Sequence, residues 1–401
     1  MVKSGKELCE ALCIAYDERL EPYFEEGVRL YREKGLFAVN KDRIIRANEK
    51  YNFIRSFMSE ILEAADQVAQ DENLLLFVYT LAAIYKTGKT PTQNIDGVNV
   101  TLMGIPDRER LDTDIAPMFS ALYFLEDMIC EYEKRGFPYE VISDTLFGME
   151  KEFDDYIGIV GRPGMRRYVG WYSNWVNMNL ITVGRFQFRI LKYAMPIRVY
   201  RKGDDYKILV DGRDMHKKGM VFGSAGQDDE DGKYFAAIEE TDGAVIGYAA
   251  NEYGECDPTP VRLEGYTEVL RRGDMVLDVH IPAEQSLAPD ICKASYEKAK
   301  EVLIKAYPEH DFKGFICQSW MLEKRLEGLL GKSTNVTKFM DMYYGYPLLS
   351  NGKAVYSFIF KVPAPLPTEE LPENTTLQRV VKQYMLDGNF FYEKGGFMPL
   401  N

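Results

Sequence analysis

In "MVLDVHI", residues 275–281, an aspartate and a histidine stand two apart on an otherwise apolar run. A strand alternates its side chains, so Asp278 and His280 would share one side of a sheet. An imidazole near a carboxylate can take a proton from an ammonium group close to neutral pH, which is general-base chemistry. The chain has three histidines, and the other two sit differently: His216 lies in the polar "GRDMHKKGM", and His310 follows "YPE". A histidine buried on a strand for structure alone is the competing reading.

Two more runs carry polar groups on apolar strands. In "FKGFICQS", alternation puts Cys317 and Ser319 on one side and Gln318 on the other. Ser319 is read as a catalytic proton donor to a leaving group or, more blandly, as a cap for the helix that follows. Cys317 is read as a substrate contact, with an acyl-carrying thiol as an alternative. In "GRFQF", Arg185 and Gln187 oppose Phe186 and Phe188, which suggests a cleft wall that contacts substrate. Tyr343 and Tyr344 could supply a general acid. No GxSxG, P-loop, dinucleotide fingerprint or HExxH occurs in the chain.

These residues need elements to hold them. The chain has 401 residues, 46% hydrophobic and 28% charged, which suggests a folded protein of two or three domains. Its first 160 or so residues read as helices. Ile44, Ala47, Tyr51, Ile54, Met58, Ile61 and Ala65 recur at three and four, a helical stripe. Similar stripes run through 5–34, 73–87, 115–135 and 138–156. "LLLFVYTLAAIY", Leu74–Tyr85, is too short to span a bilayer, which takes roughly 20 residues, and reads as a helix buried on all sides. After residue 180 short alternating runs take over. Asp242-Gly243 between two such runs predicts a hairpin. "MVLDVHI" is followed by a helix over 291–307, then by "FKGFICQS" and by a helix closing at Gly331. Asn351-Gly352 before "KAVYSFIFKV" predicts a last hairpin, and "TTLQRVVKQYML" a last helix. The expected class is α+β: a helical bundle, then a mixed, mostly antiparallel sheet flanked by helices.

Strand–helix–strand makes "MVLDVHI" and "FKGFICQS" parallel neighbours, and a cleft can open where they part. This order resembles the GNAT superfamily of acyl-CoA-dependent acyltransferases. "VGRFQF", "DVHIP", "CQSWML" and "NVTKFM" further resemble a bacterial acyltransferase-like family that joins a helical N-acyltransferase N-terminal domain to a GNAT-like C-terminal domain. The resemblance implies that the loop "PAEQSLAPD" wraps the coenzyme A pyrophosphate, with Ile281, Ala283, Gln285 and Ser286 as the contacts. It implies a thioester in the gap between the strands. One departure stands out. The family loop is glycine-rich, whereas this one has no glycine, and Asp290 would sit in the first turn of the helix, where a carboxylate competes with phosphate.

The expected domains are 1–165, helical; 166–365, GNAT-like; and 366–401, a helical tail. The expected function is transfer of an acyl group from acyl-CoA, or another pantetheine thioester, to a small-molecule amine. His280 would be the base and Asp278 its orienting partner. A non-catalytic ligand-binding or assembly protein on a degenerate GNAT scaffold is the alternative. A formal charge of −13 disfavours nucleic acid and anionic membranes as partners. No metal site is expected: Cys9 and Cys13 lack further ligands nearby, and "GQDDEDGK" lacks calcium-loop spacing. Six cysteines without CxxC spacing, and no apolar leader, point to free thiols in the cytoplasm. The helical domain would shape the acceptor pocket or mediate homodimerisation.

Overall fold

The computed structural model describes residues 2–87, 111–165, 169–283, 285–362 and 365–400. The chain divides into two compact units, Met1–Val183 and Gly184–Asn401. The first is helical: α1 (Gly5–Ala11), α2 (Glu21–Lys34), α3 (Lys41–Tyr51), α4 (Met58–Gln70), α5 (Glu72–Tyr85), α6 (Ala116–Leu122), α7 (Leu125–Lys134), α8 (Tyr139–Val160) and α9 (Val169–Val176). The short strand β1 (Leu180–Val183) ends it. Helix α5 is the pillar, since every residue from Leu74 to Tyr85 is buried, as its unbroken apolar run demands. Helix α2 reaches it closely through Gly27, where a Cβ would lie 2.8 Å from the Thr80 amide nitrogen. Among the described residues no helix is long and apolar enough to cross a membrane.

The stripe from Ile44 to Ala65 is broken in the structure, because residues 52–57 leave the helix. Asn52 turns left-handed at φ 47°. The Asn48 side chain accepts from the Ile54 amide at 2.7 Å and donates to its carbonyl at 3.0 Å. The buried Glu150 carboxylate of α8 then accepts the amides of Arg55, Ser56 and Phe57 at 2.8, 2.6 and 2.9 Å. Amides that a continuous helix would bond internally go to a side chain instead. The apolar spacing survives the break because Phe53 and Ile54 stay in the core, so periodicity alone does not reveal it.

The second unit carries β2 (Phe186–Lys192), β3 (Ile197–Lys202), β4 (Asp205–Val210), β5 (Arg213–His216), β6 (Lys233–Ala236), β7 (Glu239–Thr241), β8 (Ala244–Ala249), β9 (Val261–Glu264), β10 (Thr267–Leu270) and β11 (Met275–His280). Helix α10 (Pro289–Ala306), β12 (Phe312–Ser319), α11 (Leu326–Leu330), α12 (Asn335–Met340), β13 (Tyr344–Pro347), α13 (Thr376–Leu386) and β14 (Lys394–Pro399) follow. One sheet has the order β2-β11-β12-β14-β13. Its β11–β12 pair is parallel, joined through α10, and the other pairs are antiparallel. A second, antiparallel sheet runs β10-β3-β4-β8-β7, with β9 also on β8. Val276, Ile316, Tyr346 and Phe397 of the first sheet share a core with Ile197, Val199, Ile208 and Val210 of the second. The opposite face of the first sheet presents Phe186, Phe188 and Phe315 to Tyr296 of α10, with ring centroids 5.0, 6.1 and 5.0 Å apart. The Asp242-Gly243 hairpin forms as expected, with Thr241 opposite Ala244.

The last hairpin expected from Asn351-Gly352 does not form. Val355 and the turn Tyr356–Phe360 are helical, and Val355, Ile359 and Phe360 pack in a core with Leu326, Val381 and Phe391. Their spacing of four and five suits a helix and not a strand. The edge of β13 is taken instead by β14, so the stretch read as a helical tail holds α13 and also a strand inserted between β12 and β13. Two glycines make that insertion feasible. A Cβ at Gly395 would lie 2.0 Å from the Tyr346 ring, and one at Gly396 would lie 2.9 Å from the Tyr343 Cβ.

Replacing Glu150 with alanine leaves three amides without their acceptor. A loss of roughly 2–4 kcal/mol is expected from these charge-assisted bonds. It would be read as a lower urea midpoint by far-UV circular dichroism. An unchanged midpoint would show that water satisfies the 55–57 backbone equally well.

Candidate active site

Strand β11 brings Asp278 and His280 to one side of the sheet, and β2 brings Arg189 directly opposite Asp278. The three side chains meet on one atom. Asp278 Oδ2 accepts from Arg189 Nη2 at 2.5 Å, from Arg189 Nε at 3.1 Å and from His280 Nε2 at 3.1 Å. Asp278 is 3% exposed and Arg189 is also buried. Burial pushes the Asp278 carboxyl pKa up, but the charges and hydrogen bonds of His280 and Arg189 outweigh it, so the pKa lies below the usual value. An ionised carboxylate can only accept. Nε2 of His280 therefore carries a proton, and in the neutral ring the lone pair sits on Nδ1. The His280 side chain keeps 32% of its surface exposed. The array is a buried ion pair holding a half-exposed base in one tautomer.

The sheet parts beside this base. β11 and β12 pair from Met275 opposite Phe312 to Asp278 opposite Ile316. Beyond that point each strand keeps its outer partner, β11 as far as His280 opposite Gln187 and β12 as far as Ser319 opposite Lys394. Pairing is thus missing between Val279–His280 and Cys317–Ser319, which leaves a gap in the ladder there. Across the sheet from the ion pair, the hydroxyls of Tyr296 and Tyr343 lie 2.6 Å apart. The Tyr343 pKa is raised well above the ordinary phenol value by burial, with Tyr296, Cys317 and Asp278 adding to it. Tyr343 thus stays a neutral phenol at neutral pH.

The other predicted residues are distributed around the gap. Gln187 lies opposite His280 on the Arg189 side of β2. Arg185 stands before the strand begins. It is 4% exposed and donates from Nε to the Ser286 carbonyl at 3.0 Å. The Ser286 hydroxyl accepts the Ala288 amide at 3.1 Å, while Ala283, Gln285 and Ser286 are exposed and Ile281 is half-buried. Helix α10 starts with Pro289 at its first turn, as the sequence suggests, with Asp290 beside it. Cys317 and Ser319 face away from Asp278, because Ile316 is its partner and alternation turns the next residue over. Cys317 is buried, and burial and then Asp278 push its thiol pKa well up, which keeps it protonated and poorly nucleophilic. Ser319 Oγ accepts the Met321 amide at 3.1 Å and caps the turn Trp320–Leu322.

Sequence reasoning missed Arg189. The signal was present: "GRFQFR" places Arg185, Gln187 and Arg189 at a spacing of two on a strand whose other residues are apolar.

Among solved structures, the chain is similar to an acyltransferase mutant in complex with octanoyl-CoA, at 17% identity and a TM-score of 0.63, with 100% of each chain covered. It is similar to an acyltransferase in complex with CoA and 10C-Teicoplanin, at 17% and 0.62, again over 100% of each chain. A third, an acyltransferase in complex with decanoyl-CoA and teicoplanin, matches at 18% and 0.61 over 100% of each. At such identities the likeness is one of fold. The chain matches no curated protein. The family model of the GNAT-like C-terminal domain matches residues 180–398, more than half of the chain, and the protein belongs to that family.

Proposed function

We propose that the protein transfers an acyl group from acyl-CoA to a small-molecule amine, with His280 as general base. The observation that carries this reading is the Arg189–Asp278–His280 array at the point where β11 and β12 stop pairing. The fold-level neighbours crystallised with octanoyl-CoA, decanoyl-CoA or CoA support a thioester as donor, and those with teicoplanin support a small-molecule acceptor. No metal is needed for the proposed step.

The thioester would enter the gap with its carbonyl carbon near His280. The amine nitrogen attacks that carbon, and a C–N bond forms. His280 Nδ1 takes the proton that the nitrogen must lose, and Asp278 stabilises the imidazolium. The C–S bond then breaks and the electron pair leaves on sulfur. The proton that His280 has taken then passes to the departing thiolate, so the imidazole is restored and the step balances. Arg189 reaches neither reactant. It is a positioning residue, because it keeps Asp278 ionised and so fixes the His280 tautomer.

Two measurements test this reading. Acyl-CoAs of several lengths should raise the melting temperature of the protein in a dose-dependent way. With an amine panel, release of free CoA thiol should fall by about 100-fold or more in His280→Ala, with acyl-CoA affinity retained. Absence of any thermal shift at millimolar acyl-CoA would end the thioester reading, and wild-type turnover in His280→Ala would remove the base. The glycine-free loop favours a second reading, a ligand-binding protein without turnover. It predicts a thermal shift without thiol release.

The pKa of Asp278 gives a separate expectation. Its folded value lies below 3.8, so its contribution to stability is complete above about 3.8 and is lost as pH falls through the lower folded value. Asp278→Asn should be less stable than wild type at neutral pH and should lack this acid limb. Urea unfolding from neutral pH down to about pH 2 reads both, and parallel profiles for the two proteins would contradict an ionised Asp278.

A further inference from the structure

The core between the two sheets of the second unit holds two hydroxyls that the reaction does not use. Tyr193, one residue past β2, is 1% exposed, and Tyr346 on β13 is 0% exposed. Neither phenol oxygen has a hydrogen-bond partner among the described residues. A buried hydroxyl in that state is costly unless something answers it. The two are neighbours, since burial and then Tyr346 push the Tyr193 phenol pKa well up. Turning to each other would not satisfy both. Two hydroxyls that bond each other share one hydrogen bond and still leave one O–H to donate.

An acceptor for that O–H lies in the same core. All three bonds to the Asp278 carboxylate end on Oδ2, two from Arg189 and one from His280. Oδ1 accepts from none of the described residues, although an ionised carboxylate has room for about four hydrogen bonds. The strand register brings Tyr346 towards it. Asp278 follows Val276 by two and lies opposite Ile316, so its side chain points to the face where Val276, Ile316 and Tyr346 share a core. Tyr346 is opposite Gly395, and Gly395 is opposite Gln318, just past the end of the β11–β12 pairing. A Cβ at Gly395 would lie 2.0 Å from Tyr346 Cε2 and 2.2 Å from Cζ, so the far end of the ring rests over the β14 backbone on its way to β12. Burial pushes the Tyr346 phenol pKa up, Tyr193 opposes it, and Asp278 and Cys317 add to it, as a carboxylate close to the ring would.

We propose that Tyr346 is a further positioning residue of the acyl transfer: its hydroxyl donates through one buried water to Oδ1 of Asp278, and Tyr193 donates to Tyr346 from behind. This rests on the reading of His280 as the base. Arg189 and His280 then hold one carboxylate oxygen and Tyr346 holds the other, so the plane of the carboxylate is fixed from both sides. A water can bridge two such groups at small cost where both are polar and buried. The titratable groups close to Asp278 are Arg189 on β2, His280 on β11, Cys317 on β12, Tyr343 before β13 and Tyr346 on it. Of the two tyrosines, Tyr343 already has its hydroxyl bonded to that of Tyr296. Tyr346 is the one with an O–H to give. It touches neither thioester nor amine, and acts through Asp278 on the imidazole.

Tyr346→Phe in the full chain tests this, because it keeps the ring and removes only the hydroxyl. The donor favours ionised Asp278, so its loss raises the folded pKa of Asp278 towards the unfolded value. The stability that Asp278 contributes should then be lost at a higher pH as pH falls, by about half to one pH unit in urea midpoints followed from neutral pH to about pH 2. An Asp278 with fewer donors also holds the imidazolium harder. The acid limb of kcat/KM for acyl-CoA with an amine should therefore move to higher pH, with KM for acyl-CoA unchanged. In an Asp278→Asn background, Tyr346→Phe should not change the shape of the urea profile. Tyr193→Phe should move both limbs the same way by a smaller amount, and it serves if Tyr346→Phe does not fold. A folded Tyr346→Phe whose urea profile superimposes on that of wild type overturns the proposal, as does an equal shift in the Asp278→Asn background. If wild type shows no acyl transfer, the reading of His280 as base fails by itself, and the urea profiles still decide whether Tyr346 serves Asp278.

Discussion

The second unit is organised around a carboxylate that ought not to be charged where it is. Asp278 sits at the centre of the first sheet, 3% exposed. Burying an ion there is tolerable because Arg189 faces it across the β2–β11 pair and His280 follows it on its own strand. Removing one member of a buried pair costs on the order of 3–5 kcal/mol. The sequence position of all three is therefore tied to the strand register: a slip of one residue would turn Asp278 into the aromatic layer of Phe188, Phe315 and Tyr296. Register, ionisation and the tautomer of His280 are one constraint.

That constraint also explains where the pairing of β11 with β12 ends. Pairing between β11 and β12 ends at Asp278 opposite Ile316, and the ion pair clamps β11 to β2 at the same level. β12 is meanwhile held to β14 as far as Ser319. The two strands separate because each has a stronger reason to follow its outer neighbour. β14 can play this part because Gly395 and Gly396 give room to the rings of Tyr346 and Tyr343. The glycines that the loop after β11 lacks are found here, where close approach of rings to backbone requires them.

Much of this was legible in the sequence. The α+β class, the buried Leu74–Tyr85 helix, the order strand–helix–strand and the Asp278–His280 pair all follow from periodicity and from the scarcity of histidine. Three features were not legible, each for a physical reason. Arg189 reads as a solvent-facing residue of an alternating strand until β11 is placed beside it. β14, "KGGFMP", has low strand propensity, because its glycines are set by tyrosines about fifty residues away in sequence. The break at 52–57 depends on Glu150, also far away in sequence, and leaves the apolar pattern intact. In each case the decisive partner is tertiary.

Arg185 and Arg189 come from one short run, "GRFQFR", and share residue type and near-complete burial. They differ in what answers their charge. Arg189 has a carboxylate at 2.5 Å, so its charge is used inside the protein, on the geometry of the base. Among the described residues Arg185 has the Ser286 carbonyl at 3.0 Å and the Phe186 ring at 5.4 Å, and no carboxylate. In a chain with 62 acidic and 49 basic residues, acids are not in short supply. Among the described residues the turn before β2 nevertheless meets its arginine with a carbonyl and an aromatic face, which tie that turn to the loop before α10.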